Sequence, residues 1–130
     1  MQEDEGGPVL TAHTCSDDAL GAYLSLRCFD GKVVLENDLG AGTEIAVDPM
    51  QELIVAVELV TDEGEAGISL QFSQMTATFI GETPASGPLV ELLKSGASLK
   101  IRDPAGVYPA RTYSLAGSSK AIGTLLAACN

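Results

Sequence analysis

Apolar and polar residues alternate along one short run after another, with glycine-bearing turns between the runs. From Tyr23 to Asp30, Leu24, Leu26 and Cys28 take one parity while Ser25 and Arg27 take the other. That spacing puts the three apolar side chains on one face of a strand. Asp30-Gly31 follows, a pair that tolerates the left-handed backbone of a tight hairpin turn, and Lys32–Glu36 then reads as the returning strand. A chain written this way folds as an antiparallel sheet with one covered face.

The pattern continues. Asn37-Asp-Leu-Gly-Ala-Gly42 is a turn cluster, and Ile45 and Val47 alternate with Glu44 and Ala46 beyond it. Leu53–Val60 is apolar on both parities except at Glu58, which predicts a central strand covered on both faces. After the acidic turn Thr61–Glu65, the residues Ile68, Leu70 and Phe72 mark one strand, and Met75, Ala77 and Phe79 a further one. Pro84-Ala-Ser-Gly-Pro88 ends the strand run and opens a helix near 88–95, stopped by Gly96. In Ser98–Arg102, Leu99 and Ile101 face inward and Lys100 and Arg102 outward, and Tyr108–Leu115 returns as its partner. Past Gly117, Ile122, Leu125, Leu126 and Cys129 recur at i, i+3, i+4 and i+7, the stripe of an amphipathic helix at about 118–129 that Ser118 can cap.

These readings give an α+β, β-rich fold: an antiparallel sheet or sandwich of six to eight short strands with two short helices. The 130 residues suffice for one domain, taken as 9–130, behind an acidic, glycine-rich leader at 1–8 expected to be disordered. The start Met1-Gln-Glu-Asp-Glu has neither the charged nor the apolar region of a signal peptide. A mature exported chain without its leader is the expectation. The longest fully apolar run, Leu53–Val57, is far too short to span a membrane, so membrane insertion is not expected.

Eighteen acids against seven bases give a net charge of −11, which excludes nucleic acid and anionic membranes as partners for most of the surface. Lys94, Lys100, Arg102, Arg111 and Lys120 lie in the last 37 positions, where Asp103 is the only acid. Lys100, Arg102 and Arg111 therefore form a candidate contact surface, with Tyr108 and Tyr113 as aromatic anchors. The alternative is that the tyrosines pack beneath the final helix and the basic heads pair with the acidic excess.

Little points to catalysis. His13 is the only histidine, and Gly117-Ser-Ser lacks the flanks of a nucleophile elbow. His13 and Cys15 have no second pair at zinc-ligand spacing, so no metal or cofactor is expected. Glu44, Asp48, Glu52, Glu58, Asp62, Glu63 and Glu65 offer many carboxylate pairs, which keeps a carboxylate-dependent hydrolase as the alternative to a binding domain or a purely structural module. Asp62-Glu-Gly-Glu65 reads as a turn rather than a calcium loop. Three cysteines allow at most one intramolecular disulfide. Cys28 with Cys129, Cys15 with Cys28, and three unbonded buried thiols all remain open.

Leu24-Ser-Leu-Arg27-Cys28 with Asp30-Gly31-Lys32, the segment Leu89–Arg102, and Tyr113-Ser-Leu115-Ala-Gly117 running through Ala121, Leu125 and Leu126 to Cys129 resemble a family of small exported bacterial proteins associated with type VI secretion. A second resemblance is to the invasion-associated locus B group. The first implies pairing of Cys28 with Cys129. It also implies a periplasmic or secreted, non-enzymatic accessory domain of the bacterial envelope, acting by contact with an envelope protein.

Overall fold

The computed structural model describes residues 2–4, 11–16, 21–40, 52–73, 76–106 and 110–128. In chain order the elements are β1 (Gln2–Asp4), β2 (Thr11–Cys15), β3 (Tyr23–Phe29), β4 (Lys32–Asp38), β5 (Ile54–Thr61), β6 (Gly64–Ser73), β7 (Thr78–Pro84), α1 (Pro88–Ser95), β8 (Ser98–Arg102), β9 (Arg111–Ser114) and α2 (Ser118–Ala127). Every pairing is antiparallel, in one sheet of order β1-β2-β3-β4-β7-β6-β5-β8-β9. The sheet curls until β2 meets β9. There Ser16 bridges Tyr113, Thr14 Oγ1 donates to Ser114 O at 2.9 Å, and Ser16 Oγ donates to Thr112 O at 3.0 Å. Eight strands thus form a nearly closed ring, and β1 overhangs it on β2. The β-rich α+β class read from the sequence is the class found.

Alternation fills the interior. Ala12, Leu24, Leu26, Val33, Leu35, Val55, Val57, Leu59, Leu70, Phe79, Leu99 and Ile101 all join one buried cluster. Burying each leucine, isoleucine or phenylalanine contributes about 1.5–3 kcal/mol. One polar pair crosses this interior. Asn37 Nδ2 donates to Tyr113 Oη at 2.6 Å and to Tyr23 O at 2.9 Å, and both Asn37 and Tyr113 are wholly buried. Tyr113→Phe is expected to lower stability by about 1–3 kcal/mol in urea unfolding, because it takes a buried acceptor from Asn37 without changing the packing volume much.

The helices close the end of the ring that carries the β3–β4 and β5–β6 turns. Pro88 starts α1, where its missing N–H is harmless, and Leu89, Val90 and Leu93 face the core. From α2, Ala121, Ile122 and Leu125 are buried. The two helices pack on each other, and Ser118 Oγ donates to Lys94 O at 3.3 Å. At the same end Asp62 Oδ1 accepts the N–H groups of Ala97 at 2.7 Å and Ser98 at 3.3 Å, tying the β5–β6 turn to the start of β8. These two backbone donors hold the Asp62 carboxyl below the usual aspartate range. A lowered carboxyl pKa stabilises the fold above the ordinary aspartate value, and that contribution disappears as pH falls through the lower folded value. Asp62→Asn is accordingly expected to make the acid limb of a stability–pH profile shallower.

Several expectations are corrected. Within the leader, Gln2–Asp4 pairs with Thr11–His13, since backbone pairing at a sheet edge does not depend on apolar side chains. Ser118 does not cap α2: Gly117 occupies the N-cap at φ 79°, and the Ser118 hydroxyl turns to α1. Ala77 lies in a turn at φ 55°, so the strand begins at Thr78. β5 lies between β6 and β8, but only its Val55, Val57 and Leu59 face is buried. The expected strand at Thr43–Val47 falls outside the described residues.

Candidate functional site

Because β5 is apolar on both parities and covered on one, its outer face leaves Ile54 and Ala56 exposed. Ile54 is 58% exposed and Phe29, on the outer parity of β3, is 72% exposed; they are the exposed large hydrophobic residues among those described. Their outer positions follow from the register. One row runs Ile54, Gln71, Ile80, Glu36 across β5, β6, β7 and β4, and another runs Phe29, Lys32, Pro84 across β3, β4 and β7. Between the rows lie Arg27, Val34 and Glu82.

This face is concave where β6 and β7 meet. β7 pairs with β4 over six residues but with β6 only where Gln71–Ser73 meets Thr78–Ile80. An open depression of about 530 Å³ lies over this pairing, with Ile54, Ser69, Gln71 and Ser73 on one side and Ile80, Gly81 and Glu82 on the other. A second depression of about 340 Å³, with Lys32, Thr83 and Pro84 in its lining, shares Glu82 with the first. The two depressions therefore meet at a carboxylate, with Ile54 in the lining of the first and Phe29 in the strand row beside the second. Glu36 is engaged by Arg27 Nη1 at 3.1 Å and by Thr78 Oγ1 at 3.0 Å. Glu82 faces Lys32 Nζ at 3.7 Å with both side chains more than half exposed, a pairing that adds little and leaves the carboxylate able to accept more.

The structure does not gather the basic and aromatic residues singled out from the sequence. Lys100 is exposed on the outer face of β8. Arg102 shares that face, but Glu58 Oε2 accepts from its Nε at 3.1 Å and also from Nη2, and Glu65 lies 3.4 Å from Nη2. The hydrogen bond to Glu58, reinforced by the carboxylate's charge, raises the Arg102 pKa further. Arg111 is partly buried and donates to Leu39 O at 3.2 Å and Ala110 O at 3.0 Å, joining β9 to the end of β4. Tyr113 is a core residue bonded to Asn37 and is therefore no surface anchor. Tyr108 lies outside the described residues. For Arg102 and Tyr113 the alternative of internal pairing and burial is what the geometry has.

The acids likewise have structural duties. Glu58 and Glu65 converge on a guanidinium, and the Asp62 shift is opposite in sign to that of a general acid. Glu44 and Asp48 lie outside the described residues. No group of three or more His, Cys, Asp or Glu side chains placed to hold a metal occurs among the described residues, and no described helix is long and apolar enough to cross a membrane. Cys15 is an exposed free thiol on β2, in a shallow depression with His13 and Tyr23. Burial, and then the Glu36 and Asp38 charges, raise the Tyr23 pKa. Cys28 packs against the core. Cys129 lies outside the described residues.

No protein-family model matches the chain, and neither curated proteins nor solved structures gave a match. The outer face was missed by pattern reading, although its signal was present. A strand apolar on both parities in a one-layer sheet exposes one apolar row, and Phe29 shares its parity with Ser25 and Arg27.

Proposed function

We propose that this chain is a non-enzymatic accessory domain of the bacterial envelope that works by binding another protein. The observation that carries the reading is the outer face on which Ile54 and Phe29 stand exposed beside two depressions joined at Glu82. Exposed apolar surface organised around a concavity and rimmed by polar groups is the mark of a protein interaction site. The resemblance to type VI secretion-associated proteins suggests the setting, with the domain exported and active in the periplasm or outside the cell. A Cys28–Cys129 disulfide belongs to the same reading. It is supported by the free, exposed state of Cys15, which leaves Cys28 and Cys129 as the other two of three cysteines.

The test is affinity capture from solubilised envelope extract with three baits: the oxidised domain, an Ile54→Lys/Phe29→Lys variant and a Lys100→Glu variant. A stoichiometric partner that survives Lys100→Glu and is lost with Ile54→Lys/Phe29→Lys supports the reading. A partner that both variants retain removes the outer face from the reading. Hydrolysis of envelope glycans by the purified domain would replace it with the carboxylate-dependent hydrolase.

A further inference from the structure

We infer that β1 is a placeholder on the edge of β2, and that an extended segment of another protein, with an aliphatic residue at its centre, displaces β1 and pairs with Thr11–His13 in its stead. The inference concerns the seam of the ring and stands apart from the outer face of the binding-domain reading.

The seam is closed in two pieces, one from each end of the chain. Ser16 bridges Tyr113 and Thr14 Oγ1 donates to Ser114 O, so β9 holds the later part of this edge. β1 holds the earlier part, where Gln2, Glu3 and Asp4 pair with His13, Ala12 and Thr11. Among the described residues no further strand lies on the other side of β1. Three residues make few backbone hydrogen bonds, and a strand this short at the end of a sheet opens more readily than the ring beneath it.

The register makes β1 a poor occupant. Residues opposite one another in an antiparallel sheet share a face, and one row runs Glu3, Ala12, Leu26, Leu35 across β1, β2, β3 and β4. Ala12, Leu26 and Leu35 are buried members of the core, and α2 lies against β1, β2 and β3. The row thus ends at a position suited to an apolar side chain, and β1 has a glutamate there. Backbone pairing covers the edge of β2, but a glutamate adds no apolar surface to the row. A charge at the inner parity is also a device by which edge strands discourage further pairing.

The same row selects the occupant. A second copy of this chain would offer the same Gln2-Glu3-Asp4 strand, so an exchange between copies gains no contact and sets −11 against −11. An acidic segment gains nothing either. A foreign strand with valine, isoleucine or leucine opposite Ala12, and no acid on either side, keeps the backbone pairing and adds the missing apolar cover. Such a side chain, fully covered, raises affinity about tenfold or more over a segment without it. Its competitor is the tether, because only six residues separate β1 from β2 and keep β1 at a high effective concentration.

The test compares the wild-type chain with Glu3→Val and Glu3→Pro. The probes are a capped heptapeptide of threonine with one central valine, and versions with glutamate or proline at that centre. Without peptide, Glu3→Val is expected to slow amide hydrogen exchange within Thr11–His13 several-fold and Glu3→Pro to speed it, while Leu24–Leu26 in the ring stays unchanged. The valine peptide should bind Glu3→Pro about tenfold or more tightly than wild type, and wild type more tightly than Glu3→Val, because the tethered strand competes in that order. In saturated wild type, Thr11–His13 should stay protected while Gln2–Asp4 exchanges faster. The glutamate and proline peptides should bind about tenfold or more weakly than the valine peptide. Equal affinity for the three chains would overturn displacement, as would failure of the valine peptide to bind Glu3→Pro. Slower exchange at Gln2–Asp4 would mean addition outside β1 and overturn it too. If Glu3→Pro disturbs Leu24–Leu26, the order of wild type and Glu3→Val decides alone. Ile54→Lys/Phe29→Lys should bind the peptide as wild type does; loss there would move the peptide to the outer face and overturn the inference.

Discussion

Gly81→Val is expected to destabilise the domain by about 3 kcal/mol or more, measured as a lowered urea midpoint. A Cβ at Gly81 would stand 2.7 Å from Leu70 Cδ2, 2.8 Å from Ser69 O and 3.1 Å from Ile68 Cδ1. Neither of the closest atoms can move cheaply. Leu70 is wholly buried, and Ser69 is held in the β5–β6 ladder opposite Ala56. Gly81 lies just past the end of the β6–β7 ladder while β7 continues on β4, so a side chain here disturbs both the core and the lining of the outer depression. Gly81→Ala should show a smaller loss of the same kind. Gly123 is the contrast. It lies inside α2 with nothing within 4 Å of a new Cβ, so Gly123→Ala is expected to gain about 0.5–1 kcal/mol from helix propensity alone.

The second large effect concerns the cysteines. Cys28→Ala, or reduction of the oxidised protein, is expected to lower stability by about 2–5 kcal/mol, whereas Cys15→Ala should change little. A bond from Cys28 to Cys129 closes a loop of about a hundred residues, and restricting so long a loop removes much of the freedom of the unfolded chain. Cys15 is exposed and free, so its loss removes neither a cross-link nor core packing. Equal urea midpoints with and without reductant would remove the pairing from the proposed function.

Local elements were legible because their causes are local. Asp30 and Gly31 both take positive φ, 53° and 75°, as the hairpin reading of Asp30-Gly31 requires, and Phe29 pairs with Lys32 across it. Pro88 and Gly96 bound α1 where the sequence places them. What escaped was tertiary in origin. The meeting of β2 with β9 depends on residues far apart in the chain, and no periodicity reports it. The one-sided cover of β5 depends on where the helices sit, and they close an end of the ring instead of its outer face. Tyr113 looked like a surface anchor because its polar partner, Asn37, lies in a turn cluster by sequence and deep in the core by structure. Arg102 looked free because the acids that neutralise it come from β5 and β6.

The join between β2 and β9 bears on the order of events when the protein is made. Its two side-chain hydrogen bonds link residues 100 and 96 positions apart, and they come from the early and late parts of the chain. Contacts of such separation form slowly and only after the intervening ladder is in place. A ribosome or a translocation pore therefore delivers an open, curled ribbon, and the circle can shut only once the final strand has emerged. Under the export proposed above, this delay is an asset: the shape that would jam the passage is the one that the unfinished polypeptide cannot yet adopt.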